Sequence, residues 1–183
     1  MTSDVIAALP DSADTLREIE MRKGLFMSLL KKINAHPLPL AGLLGIAFMH
    51  AEPQCVVADM VVRDEMCTAG ARVHGGTLMA FADTVGAAAT YINLPAGAAG
   101  TVTVESKTNF LGAAAAGTRL VATATPLHRG RQTQVWQTHI ETESGRLVAV
   151  VCQTQLVLYP VGDAMEQGCP SHGRREALLL PLA

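Results

Sequence analysis

The sequence predicts an α+β domain in which an antiparallel sheet has one face covered by a long helix. The order of patterns carries this reading. One early strand pattern precedes a helical run rich in small residues, HGGTLMAFADTVGAAAT (His74 to Thr90), and strand patterns then follow in unbroken succession. Successive strands with short turns pair antiparallel, and one face of such a sheet must be covered. The chain has 183 residues, 49% of them apolar, which suits one domain with a substantial core and terminal extensions.

The elements follow in order. Ser12 to Ala35 reads as an amphipathic helix, with Leu16, Ile19, Phe26, Leu29, Leu30 and Ile33 at helical spacing. Acids early (Asp11, Asp14, Glu18, Glu20) and lysines late (Lys31, Lys32) suit the helix dipole. Pro37 and Pro39 end it. QCVVADMVVR (54–63) is valine-rich and bounded by polar residues, hence a strand. After the helical run, TVTVESKTNF (101–110) alternates. Strict period two puts Val102, Val104, Ser106 and Thr108 on one face and Thr101, Thr103, Glu105 and Lys107 on the other. TRLVATATPLH is a further strand. RQTQVWQTHIETE and RLVAVVCQTQLVLY form a hairpin about Ser144-Gly145. Trp136, His139 and Met79 are expected to pack in the core or an interface.

Composition excludes several classes. Net charge is −2 and no long basic run occurs, so nucleic acid is not an expected partner. The N-terminus lacks signal-peptide character, and no apolar stretch reaches membrane-spanning length, so no membrane role is expected. Four scattered cysteines form no CxxC and no zinc spacing. They read as reduced thiols in a cytoplasmic protein with no metal site.

The helical run holds one acid, Asp83, among apolar and small residues. Asp is a poor helix-interior residue, and an unpaired buried charge is costly. It lies on an exposed stripe, or it bonds a nearby hydroxyl such as that of Thr84, or it serves chemistry. Gly75 and Gly76 open the helix, where N–H groups are free and the dipole is positive. Such an end can polarise a carbonyl, although a glycine pair also simply permits a tight turn. No GK[ST] follows, so this is no P-loop. Gly75 and Asp83 stand eight residues apart, about 12 Å along a helix axis. A reacting carbon must lie ~3 Å from both groups. If both act, Gly75 of one chain must meet Asp83 of another, which predicts a symmetric dimer with two equivalent sites.

VHGGTLMAFADTVGAAA resembles the HGG-x-x-x-x-x-[D/E] signature of hotdog-fold acyl-CoA thioesterases of the phenylacetate-pathway (PaaI) type. LLGI before the first strand, LP after the helix, NFL, HRGR, SGRLVA and VLY agree with it. The resemblance implies a hotdog domain over 43–160, between an N-terminal helical extension (1–42) and a C-terminal tail (161–183). It implies a twisted antiparallel sheet around a central helix, paired as a homodimer or further as a tetramer. The activity implied is hydrolysis of an acyl-CoA or aryl-CoA thioester, with no cofactor beyond the coenzyme A of the substrate. The implied roles are the Gly75 amide polarising the carbonyl, Asp83 as nucleophile or general base, and Thr101 placing water. His74 shapes the loop. Gly76, Asn109, His128, Arg129, Gly130 and Arg131 would bind substrate or CoA. The HRGR arginines suit phosphate, while an ordinary solvated hairpin turn is the competing reading.

One position departs from the family pattern. Where that pattern places an Asn or Gln contacting the carbonyl end of the substrate, Thr68 stands here, and its hydroxyl reaches less far. Two alternatives therefore remain. A hotdog hydratase or dehydratase is disfavoured because Asp-x-Asn-x-x-His is absent. A non-catalytic acyl-CoA binder is favoured only by Thr68.

Overall fold

The computed structural model describes residues 12–160. Asp11, the tail 161–183 and Cys169 lie outside the described residues.

The chain runs α1 (Ser12–Ala35), α2 (Pro39–Leu44), β1 (Ala47–Glu52), β2 (Cys55–Val61), β3 (Cys67–Thr68), β4 (Arg72–Val73), α3 (Gly75–Ile92), β5 (Gly100–Phe110), β6 (Arg119–Arg129), β7 (Thr133–Thr142) and β8 (Leu147–Leu158). Six strands form one antiparallel sheet in the order β1-β2-β6-β7-β8-β5, while β3 and β4 make a separate two-residue ribbon. The turn after β7 works as expected, with Gly145 at φ 81° in the left-handed region that favours glycine.

α3 crosses the concave face. Phe81, Ala82, Val85 and Ala89 are fully buried, as are Trp136 and Ile140 of β7, Ala122 and Ala124 of β6, and Ala58 of β2. Alanine and glycine along the helix and alanine on the strands let the backbones approach closely. Aromatic bulk then comes from Phe81 and Trp136, and truncating a buried phenylalanine costs about 3–5 kcal/mol. His139 and Met79, expected to pack in the core or an interface, lie outside the core of the single chain and are exposed there. His139 neighbours the buried Thr138 and Ile140 along β7 and so points to the other face.

β1 was not anticipated. AFMHAE is short, mixed in character and broken by a bulge between Phe48 and His50, so period two is absent from its sequence. Its outer edge is covered: the Asn34 side chain of α1 donates to Phe48 O (2.8 Å) and accepts from Phe48 N (2.9 Å), as a neighbouring strand would. β5, at the opposite end of the sheet, has no strand on its outer edge among the described residues.

β5 also departs from strict alternation. A bulge between Thr103 and Glu105 resets the phase. Thr101 and Thr103 before it, and Ser106 and Thr108 after it, are the half-buried positions, while Val102 and Val104 are exposed.

Candidate active site

α3 begins at His74, whose backbone is extended (φ −70°, ψ 140°) and whose Nδ1 accepts from Gly76 N at 2.9 Å. This is an N-cap made by imidazole rather than by the usual hydroxyl or carboxylate. It commits the Gly76 amide proton, so Gly76 is not the free donor that a glycine pair suggested. Gly75 N–H has no acceptor among the described residues. It points out of the first turn, at the positive end of the helix dipole. A carbonyl oxygen set against it would be polarised, most strongly as negative charge develops. A Cβ at Gly75 would stand 3.1 Å from the Phe110 ring, so β5 lies close against this end of α3.

Asp83 lies two turns further on and is half-buried. Its partner is not Thr84, whose hydroxyl donates back to Ala80 O at 2.8 Å. The Thr103 hydroxyl donates to Asp83 Oδ1 at 2.8 Å, and Gln153 Nε2 donates to the same oxygen at 3.3 Å. Asp83 Oδ2 has no donor among the described residues. The carboxylate is thus held by one oxygen and available through the other, as a nucleophile or general base requires.

Thr101, whose implied role is to place water, makes no hydrogen bond to Asp83. Its single hydroxyl proton has two acceptors in range, Gln155 Oε1 (3.0 Å) and Leu156 O (3.1 Å). Two residues along one strand return to the same face, so the hydroxyl that reaches the acid is that of Thr103.

Gln153 and Gln155 escaped the sequence reading. Both are fully buried, on the inward face of β8. Two glutamines at alternate positions of a mostly apolar strand were the available signal. Gly86 is the companion of Gln153, since a Cβ there would lie 2.5 Å from Gln153 Cδ and Oε1.

The remaining positions divide in two. Thr68 is exposed in β3, paired with Arg72, and Asn109 is exposed on β5, paired with Val150. The β6–β7 turn carries His128, Arg129, Gly130 and Arg131. It borders two adjoining concavities of about 560 and 450 Å³ that share Gly130 and Arg131. Arg129 Nη1 donates to Asn93 Oδ1 at 2.9 Å, and the Arg131 guanidinium lies 5.5 Å from the centroid of the Tyr159 ring. Both cations are exposed but oriented, which suits a polyanion better than freely rotating chains do.

Among the described residues, no group of three or more His, Cys, Asp or Glu side chains could hold a metal. Nor is any described helix long and apolar enough to cross a membrane. Burial, with Glu52 nearby, pushes the Cys55 thiol up, away from the thiolate a nucleophile needs.

A long helix wrapped by an antiparallel sheet, with a glycine amide and a carboxylate on that helix, defines a hotdog-fold thioester hydrolase. Residues 70–149 match the thioesterase superfamily, and the chain belongs to that family, in its PaaI-like branch. The acyl-coenzyme A thioesterase PaaI of Escherichia coli (strain K12) is 32% identical over 121 residues, covering 64% of this chain and 84% of the relative. The 1,4-dihydroxy-2-naphthoyl-CoA hydrolase of the same organism is 32% identical over 108 residues, covering 59% and 78%. The crystal structure of a thioesterase from Haemophilus influenzae superposes with a TM-score of 0.66 at 30% identity, covering 71% of this chain and 90% of that one.

Proposed function

We propose that this enzyme hydrolyses an acyl-CoA or aryl-CoA thioester to the free acid and CoA, in sites shared between two copies of the chain. The observation that carries this reading is the Asp83 carboxylate, anchored through Oδ1 by Thr103 and Gln153 with Oδ2 left for chemistry. The Gly75 amide draws charge onto the thioester carbonyl. Asp83 attacks that carbon or deprotonates a water that does so. CoA thiolate then leaves and takes up a proton; where Asp83 attacks directly, a water next hydrolyses the acyl-aspartyl anhydride, releasing the free acid and restoring the carboxylate. The Thr68 hydroxyl serves the carbonyl end in place of an amide side chain, and His74 acts through the Gly76 amide it holds. Arg129 and Arg131, with His128 and Gly130 shaping the turn, receive the CoA phosphates, and Asn109, at the Gly75 end of β5, contacts the substrate. The mechanism draws on no metal or redox cofactor, because donor, base and leaving group are all accounted for. The CoA relatives named above support the substrate class, and free thiols at Cys55, Cys67 and Cys152 support a cytoplasmic setting.

Dimerisation follows from reach. Within one chain Gly75 and Asp83 are about 12 Å apart along α3. Gly75 lies against Phe110 at one end of β5, and Asp83 against Thr103 nearer the other. Antiparallel pairing of two β5 edges about a twofold axis between Thr103 and Phe110 exchanges these ends. Asp83 of one copy then approaches Gly75 of the other. The state of the two sheet edges supports this choice: Asn34 occupies that of β1, while Val102, Val104 and Phe110 are exposed along β5. A tetramer would join two such dimers.

The test is a hydrolysis panel of short, medium, long and aromatic CoA esters, with enoyl-CoA hydration assayed beside it. Asp83→Ala is expected to lower turnover by at least 100-fold without unfolding the protein, a loss of about 2.7 kcal/mol or more in transition-state stabilisation. Wild-type turnover in that variant, or hydration without thioester cleavage, overturns the proposal.

A further inference from the structure

We propose that Gln155 is a positioning residue for hydrolysis, fixing the rotation of the Thr103 hydroxyl so that its single proton points at Asp83. This rests on the reading of Asp83 as the catalytic acid. A threonine hydroxyl has one proton and two lone pairs, and left alone it rotates to suit any neighbour. Here Gln155 Nε2 donates to Thr103 Oγ1 at 2.7 Å, occupying a lone pair with a group that can only donate. The Thr103 proton is thereby released toward Asp83 Oδ1, 2.8 Å away. Thr101 sets the amide in turn, donating to Gln155 Oε1 at 3.0 Å.

The four groups form one directed chain, Thr101 to Gln155 to Thr103 to Asp83, in which every member but the last donates forward. The reverse arrangement is conceivable, because Thr101 can instead donate to Leu156 O, 3.1 Å away, and accept from a flipped Gln155 amide. That arrangement would turn the Thr103 proton onto Gln155 and set its lone pairs against the carboxylate. An ionised Asp83, which has only acceptors to offer, selects the forward direction.

Burial makes the chain stiff. Gln155 is fully buried, and its Cα partners in the ladder are Thr103 of β5 and Gln134 of β7, so the amide is not free to exchange with solvent. Most buried side-chain polar atoms in proteins have a hydrogen-bond partner. Those of Gln155 are met only by the two threonines that lead to the acid. Oδ1 is held by two donors, and the free oxygen Oδ2 faces the reaction in one orientation rather than several.

The experiment is a double-mutant cycle read in kcat and KM, using the CoA ester that the wild-type enzyme turns over fastest. Gln155→Met keeps the volume and removes both polar atoms. It is expected to lower kcat roughly tenfold with KM unchanged within twofold, as for an interaction felt only in the transition state. In a Thr103→Val background, where no hydroxyl remains to orient, the same change is expected to cost less than twofold. Gln155→Leu serves the same cycle if the methionine variant does not fold, and melting temperature and gel filtration check each protein. Wild-type kcat in Gln155→Met, or losses that simply multiply in the double variant, overturn the proposal, since a merely structural role acts independently of Thr103. Asp83→Asn runs beside them. If it keeps wild-type turnover, the catalytic reading of Asp83 has failed; if it is inactive while Gln155→Met is unchanged, only the role of Gln155 has.

Discussion

The carboxamide of Gln153 occupies the space that Gly86 leaves by having no side chain. A Cβ at position 86 would lie 2.5 Å from Gln153 Cδ and Oε1 and 2.6 Å from Nε2. Gln153 reaches Asp83 Oδ1 only because the helix is bare at that turn. Gly86→Ala is therefore a probe of the acid's support. Helix propensity alone would stabilise that variant by about 0.5–1 kcal/mol. The clash acts the other way and costs about 1–3 kcal/mol as overpacking. We expect a lower melting temperature and a several-fold fall in kcat, measured by calorimetry and thioester assay. A variant that is both more stable and fully active would show that the Gln153 contact does not matter.

Gly75→Pro removes one hydrogen-bond donor and little else. Proline is favoured at the first helical position, and the extended His74 before it suits a following proline. The Phe110 ring, half-exposed, must move aside by a few tenths of an ångström. The expected result is a folded protein whose kcat falls about 10²–10³-fold, the usual cost of losing one oxyanion donor.

That variant also tests whether sites are shared. If Gly75 and Asp83 meet across a twofold axis, mixing Gly75→Pro with Asp83→Asn subunits creates dimers with one doubly damaged site and one intact site. Random reassociation makes half the dimers mixed, so about a quarter of wild-type activity should return from two nearly inactive parents. No recovery after verified subunit exchange would place both groups in the same chain's site.

Arg129→Ala and Arg131→Ala examine the β6–β7 turn. Each is exposed, so folding should be little affected. KM for a CoA ester should rise several-fold, and the rise should shrink with added salt. The same acyl group on pantetheine, which lacks the nucleotide phosphates, should show no difference. An equal effect on both esters would assign the arginines to the acyl end or to structure.

Much of this protein is legible along the chain because local rules govern it. The hairpin arm RQTQVWQTHIETE, the glycine turn at Gly145 and the small-residue helix from His74 each follow from steric and hydrophobic demands within a few residues. The acid stood out because Asp83 has no local reason to be there. The helix-start glycine stood out because backbone donors at a first turn have no partner within the helix.

What the chain could not say concerns phase and partnership. The bulge after Thr103 decides which β5 hydroxyls face inward, and it arises from pairing with β8, some fifty residues distant. Thr101 and Thr103 share a face ahead of that bulge, and it is position along the strand, set by where α3 crosses β5, that brings Thr103 rather than Thr101 to the acid. Gln153 and Gln155 become part of the site only when β8 lies beside β5 and beneath α3. His74 took up the Gly76 amide because the chain enters the helix extended. β1 formed without a strand pattern because β2 and the Asn34 side chain satisfy its backbone from either side. Residue types along the chain chose the architecture and the candidate reacting groups, since burial and backbone geometry act locally. Which hydroxyl, which amide and which sheet edge complete them was decided in three dimensions, because a hydrogen bond depends on a fraction of an ångström set by strands far apart in sequence.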